Sequence, residues 1–182
     1  DMAGGFCFLN NTAIAAQHLS RQYGRVAILD VDVHHGNGTQ GIFYARRDVF
    51  TVSLHANPLD YYPFFWGHAH ERGDGDGEGF NLNLPLPLGS GEDVYFAALE
   101  RALAAVRAFA PGALGVALGR DAHEDDPLQG LKITTPGFAR IAGVIAKLGL
   151  PTLLVQEGGY LSPALGENLV SFLGGFGAAR QG

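Results

Sequence analysis

Apolar residues in this 182-residue chain fall into two kinds of run, and the two kinds alternate. Residues 26–33, 49–55, 113–118 and 152–156 are short, nearly continuous apolar runs. Runs of that length and continuity predict strands buried on both faces of a parallel sheet. Between them, apolar positions recur at helical spacing. Asn10 or Asn11 can cap a helix through about residue 22, with Ile14, Ala15, His18 and Leu19 on one side and Gly24 as its stop. Thr39 can cap a short helix to residue 45, and Gly91-Glu92-Asp93 can open a long one to about residue 110. Thr134 or Thr135, with Pro136 in the first turn, predicts a helix to residue 148, and a last helix is expected over 163–176. Residues 81–88 alternate and carry Pro85 and Pro87. Strands alternating with helices predict an α/β fold, three layers with a mainly parallel sheet, spanning residues 1–182 as a single domain.

One long stretch, residues 56–81, fits neither pattern. It carries Tyr61, Tyr62, Phe64, Phe65 and Trp66, then His68, His70 and Glu71, then the run GDGDGEG. Long loops in compact domains are functional or disordered, and the aromatics favour function, as a tunnel rim or a homo-oligomer contact. The acidic glycine run does not continue into calcium-loop spacing, so a flexible turn is expected there.

Composition narrows the function classes. A hydrophobic content of 47% supplies a sizeable core. A net charge of −6 argues against nucleic acid as a partner and suits a cationic substrate. No apolar run approaches the roughly 18 residues of a membrane span. The single cysteine, Cys7, excludes an internal disulfide framework and suits the cytoplasm; flanked by Phe6 and Phe8, it reads as an inert packed thiol. The opening residues do not read as a signal peptide; they look like the middle of a domain.

The chemistry collects at the carboxyl ends of the predicted strands, where open α/β sheets bind ligands. The strand over 26–33 places Asp30, Asp32 and His34 on one face. Carboxylates beside an imidazole are costly unless a cation holds them. Asp32 and His34 with Asp121 from another strand end make a three-ligand set for a divalent metal, with positions left open for water and substrate. Tyr160, after Gly158-Gly159, is placed to donate a hydrogen bond to a developing oxyanion. His35 points to the opposite face and reads as structural, and Asp125 and Asp126 read as a turn before Pro127.

Taken together, these motifs resemble the histone deacetylase superfamily. DVDVHHGNGT over 30–39, LGRDAHEDDPL over 118–128, EGGY over 157–160 and GGFCFLNN over 4–11 carry the likeness. The stretches over 53–73 and 81–87 are similar to its bacterial acetylpolyamine amidohydrolase branch. The resemblance implies Asp32, His34 and Asp121 as ligands of Zn2+, or of Fe2+ or another divalent ion, with Tyr160 stabilising the tetrahedral intermediate. It implies Gly5 and Phe6 lining a tunnel for the acyl-amine, with Tyr62 as the opposite wall. It implies a structural K+ held by Asp30, the carbonyls of Asp32, His34 and Leu54, and the Ser53 hydroxyl. The implied reaction is hydrolysis of an N-acetyl amide of an acetylpolyamine or acetyl-lysine, releasing acetate and an amine.

The resemblance also implies a catalytic histidine pair, supported by Asn37 and Asp30, in a Pro-Gly-His-His run before GGFCF; this chain begins after that point. It therefore reads as the C-terminal portion of a longer protein, with a truncated, catalytically impaired relative as the alternative. Arg120 stands where the family usually has an apolar residue, and alternation directs it away from Asp121. Other function classes are a manganese ureohydrolase of arginase-like fold, using Asp30, Asp121, His123 and Asp125, and a non-enzymatic metal-binding module.

Overall fold

A computed structural model describes residues 2–181, so Asp1 and Gly182 of the expected 1–182 domain lie outside the described residues. The chain runs α1 (Asn11–Tyr23), β1 (Val26–Asp30), α2 (Asn37–Phe43), β2 (Val49–Ala56), β3 (Asn81–Leu86), α3 (Glu92–Phe109), β4 (Ala113–Leu118), α4 (Thr135–Ala146), β5 (Thr152–Gln156) and α5 (Leu165–Gln181). The five strands form a wholly parallel sheet in the order β3-β2-β1-β4-β5. The sheet is the middle of three layers, as the alternation of strands and helices requires.

Both faces of the central strands are buried, which is why they read as unbroken apolar runs. Val26 and Ile28 pack with Ala13 and Ala16 of α1 and Phe43 of α2. Ala27 and Leu29 pack with Tyr95, Leu99 and Val106 of α3, within a cluster that reaches Phe138 and Ile141 of α4. Burying a Leu or Phe of this kind contributes about 1.5–3 kcal/mol. Strand β5 is an edge strand in this chain and is only half-buried. Strand β3 is the other edge, where Pro85 costs no ladder bond.

Several boundaries differ from the sequence expectation. Strand β1 ends at Asp30, not at residue 33, because the next two backbone N–H groups of that phase turn to side chains: Asp32 N–H donates to Asp30 Oδ1 at 3.0 Å and His34 N–H to Asp32 Oδ1 at 2.8 Å. Helix α2 starts at Asn37 behind Gly36 and ends at Phe43, earlier than a Thr39 cap predicts. In α1, capped by Asn10, the buried face is Thr12, Ala13 and Ala16; Ile14 is 59% exposed. Small residues win there because they let the helix approach the sheet closely. Helix α5 continues to Gln181 and contains four glycines, Gly166, Gly174, Gly175 and Gly177. Gly175 is needed for contact with α4: a Cβ there would come 2.3 Å from the Ala139 carbonyl oxygen. The GDGDGEG run is a folded 3-10 turn over Gly75–Gly77, capped by Asp74, with Gly77 buried against the Tyr44 carbonyl. Helices α3 and α4 start as expected, α4 on a Thr134 cap.

Candidate active site

Register aligns the strand ends that carry the chemistry: Asp30 of β1 lies beside Ser53 of β2 and Ala117 of β4. Asp30 continues the phase of Val26 and Ile28, so it falls on the α1 and α2 side of the sheet. Beyond it, the two side-chain-captured turns carry Asp32 and His34 over the carboxyl edge. Asp121, fully buried, arrives from the end of β4, and its Oδ1 accepts the Val33 N–H at 3.0 Å. His34 Nδ1 then lies 3.0 Å from Asp32 Oδ1 and 3.2 Å from Asp121 Oδ2. The three groups present ligand atoms within 4.8 Å of one another, the only such His/Cys/Asp/Glu set among the described residues.

Two glycines make this convergence possible. A Cβ on Gly119 would come 2.2 Å from Asp32 Oδ2. One on Gly158 would come 2.2 Å from Asp121 Oδ2 and 2.3 Å from Asp32 Oδ2. The Gly158 N–H instead donates to Asp32 Oδ2 at 3.0 Å.

The donor set fits a divalent cation. Asp121 Oδ2 is buried and has no aligned hydrogen-bond donor, although His34 Nδ1 is near. A buried carboxylate oxygen without a donor wants a cation. Without metal, His34 takes that role as a proton carrier. Burial opposes its charging, but Asp121 and Asp32 outweigh burial and lift its pKa to about 10. Burial, and then Asp32, push the Asp121 carboxyl up, against the pull of His34. Burial and the neighbouring Asp32 push Asp30 well up as well.

The site opens into a cavity of about 720 Å³ whose walls include Gly5, Phe6, Tyr62 and Tyr160. Tyr160 rides on the loop after β5, its ring edge-on to His34 at 6.4 Å between centroids. Burial, then Asp121 and Asp32, raise its phenol, which keeps it a hydrogen-bond donor. Tyr62 is edge-on to His34 at 6.2 Å, and its hydroxyl accepts the Gly5 N–H at 3.2 Å. Phe6 is 90% exposed at the cavity mouth, with a backbone φ of 64°. Asn37 donates from Nδ2 to the Met2 carbonyl at 2.8 Å. Ser53 is hydrogen-bonded to His55 Nδ1 at 2.8 Å, and Leu54 is buried.

Three features escaped the sequence reading. Tyr61, not only Tyr62, faces the site: it stacks on His34 at 5.1 Å. Adjacent tyrosines gave a signal for the pair but not for which ring stacks. Glu157 joins β5 to α1, accepting from Thr12 Oγ1 at 2.6 Å, with Cys7 Sγ 3.8 Å from its other oxygen. Asp126 is buried, accepting N–H bonds from Leu128 at 2.9 Å and from Tyr160 at 3.4 Å. Cys7 is a correction: it is exposed, not packed, though burial of its surroundings and Glu157 raise the thiol pKa. His123, offered as a second-metal ligand, faces Thr135 Oγ1 at 3.3 Å and accepts the Asp125 N–H at 3.2 Å.

A profile of the histone deacetylase domain matches residues 1–175. The chain belongs to the histone deacetylase family. It is 53% identical over 180 residues to an acetylpolyamine amidohydrolase of Burkholderia pseudomallei, covering 99% of this chain and 53% of that protein. It is 46% identical over 176 residues to the acetylpolyamine amidohydrolase of Mycoplana ramosa, covering 96% and 52%. The crystal structure of acetylpolyamine aminohydrolase from Burkholderia pseudomallei superposes with a TM-score of 0.95 over 97% of this chain and 52% of that one, at 53% identity. A histone deacetylase homologue complexed with SAHA gives 0.89 at 33% identity, covering 96% and 48%. The chain thus spans about half the length of the curated relatives it matches. Among the described residues no helix is long and apolar enough to cross a membrane.

Proposed function

We propose that this histone deacetylase family chain carries the metal centre and oxyanion donor of an amidohydrolase that removes acetyl groups from acetylated amines. The observation that carries the reading is Asp32, His34 and Asp121 converging on one wall of the cavity that Tyr160 also lines. Asp32, His34 and Asp121 would hold Zn2+, or Fe2+ or a similar ion, which supplies Lewis acidity to the scissile carbonyl and to water. Tyr160 donates its hydroxyl to the oxygen that gains charge as the amide carbon becomes tetrahedral. Gly5, Phe6 and Tyr62 flank the acyl-amine, and the acidic chain favours a cationic one, an acetylpolyamine or acetyl-lysine. Nucleic acid is no partner in this reading, and the lone free cysteine supports a cytoplasmic setting.

Asp30 and Ser53, with the carbonyls of Asp32, His34 and Leu54, would hold a structural K+. Asn37 and Asp30 would orient a histidine pair acting as general base and acid. His34 and His35 are the only adjacent histidines in this sequence, and His34 is committed to the metal. The decisive test therefore compares this chain with the complete encoded protein, both zinc-loaded, on a fluorogenic acetyl-lysine amide and on an acetylpolyamine. Turnover by the complete protein, lost in Asp121→Ala together with the metal, is expected. Zinc bound at one ion per chain with negligible rates in both forms would end the enzyme reading and leave a metal-binding module. Two manganese ions per chain with urea release would instead favour a ureohydrolase.

A further inference from the structure

Arg120 is a buried cation in a place where packing alone needs none. It follows β4 and immediately precedes Asp121, and it is only 7% exposed. Among the described residues no carboxylate oxygen lies within salt-bridge distance, 4.0 Å, of its guanidinium. Its partner is a single carbonyl oxygen, that of Gly158: Nη2 at 3.2 Å, Nε at 3.4 Å and its own backbone N–H at 3.0 Å. Burying a guanidinium on one acceptor is expensive, and an apolar side chain would fill the same space at lower cost. What an apolar residue cannot supply is direction, because charge-assisted hydrogen bonds fix the orientation of the carbonyl they hold.

That carbonyl belongs to the peptide joining Gly158 to Gly159, the most freely rotating joint between β5 and Tyr160. Gly159 has a φ of 139°, and a Cβ on it would come 3.0 Å from Arg120 Nη2. Gly158 is therefore held on both sides, its N–H by Asp32 and its carbonyl by Arg120. Asp126 then takes the Tyr160 N–H.

We propose that Arg120 is a positioning residue for Tyr160: it locks the Gly158–Gly159 peptide and so holds the phenol at the reacting carbonyl. The inference rests on the oxyanion role given to Tyr160 above. Arg120 acts on the tyrosine loop and not on the ligands, so its removal leaves the metal in place.

The test uses the complete encoded protein, zinc-loaded, with Arg120→Met, Arg120→Lys, Tyr160→Phe and the Met/Phe double variant. Expected for Arg120→Met is a fall in kcat of about tenfold or more, with KM and zinc stoichiometry unchanged. Arg120→Lys restores part of it. The double variant is no slower than Tyr160→Phe, since a residue acting through Tyr160 has nothing left to act on. If the two losses multiply while Tyr160→Phe alone is slow, the positioning role is wrong and the oxyanion reading stands. If Tyr160→Phe alone keeps the wild-type rate, the oxyanion reading and this inference fall together. Should Arg120→Met fail to fold, Arg120→Gln replaces it. A kcat order of Arg above Lys above Gln at constant KM supports the lock, and equal kcat for all three overturns it.

Discussion

His34 and His35 are neighbours in sequence and opposites in chemistry. His34 faces two carboxylates, and its imidazole is lifted to about 10. His35 is buried against neutral partners, its Nε2 paired with Gln40 Oε1 at 2.9 Å and its ring 4.8 Å from that of His55. Burial drives His35 down to about 4, and burial, then His35, drive His55 to about 3. Around them Gln40, Asn81 and Asn83 close an amide network that ends on Glu71. One strand end therefore separates a centre built from two carboxylates and an imidazole from a scaffold in which neutral amides hold a neutral imidazole. The difference teaches that a chain reversal of one residue, not residue type, decides whether a histidine meets carboxylates that charge it or burial among amides that keeps it neutral.

The largest expected effect breaks the charged centre outright. Asp121→Ala removes the fully buried carboxylate proposed as a ligand, and elemental analysis of the purified protein should find almost no divalent metal. Retained stoichiometric zinc would refute the ligand set. Next, Gly158→Ala forces a methyl between the two aspartates and should weaken zinc binding by about 10- to 100-fold in competition with a chelator.

The third prediction sets the two histidines against each other through pH, in metal-free protein. His35 and His55 have folded pKa values below the ordinary histidine value near 6.5, so the unfolded chain binds more protons in acid. Their stabilising contribution is complete above pH about 6.5 and is lost as pH falls, by about 2 kcal/mol each between pH 7 and 5. His34 has the opposite sign. Its contribution is complete below pH about 6.5 and is lost as pH rises toward its folded value of about 10. Urea unfolding across pH should give two arms, with His35→Asn flattening the acid arm and His34→Asn the alkaline one. A single variant that removes both arms would show the two centres to be one. The smallest effect is a contrast in burial. Arg46 and Asp48 form an ion pair at 2.6 Å with both side chains a third or more exposed, and Asp48→Asn should cost under about 1 kcal/mol in the same titration.

Much of this was legible because it is local. Continuous apolar runs marked β1, β2, β4 and β5, and Asn10 and Thr134 marked helix starts by the side-chain oxygens that cap them. The polar cluster at the end of β1 was legible too, since two aspartates and a histidine at alternate positions, Asp30, Asp32 and His34, have few cheap structural roles. The end of β1 was not, because Asp30 and Asp32 each had a choice between serving the strand and capturing the N–H two residues on. Nor was the fate of Cys7, since its aromatic neighbours turned outward: Phe6 and Phe8 are 90% and 92% exposed.

The sequence by itself determined the order of elements, the parallel α/β architecture and the identity of the residues at the strand ends. Spacing and side-chain type act over a few residues, and that range is enough for those decisions. Only the tertiary structure decided which atoms meet. Val33 finds Asp121 across 88 residues, Gly158 finds Asp32 across 126, and Arg120 finds Gly158 across 38. Such contacts depend on strand register and on glycines that leave room for a carboxylate or a guanidinium, and no local pattern records where a distant backbone will pass.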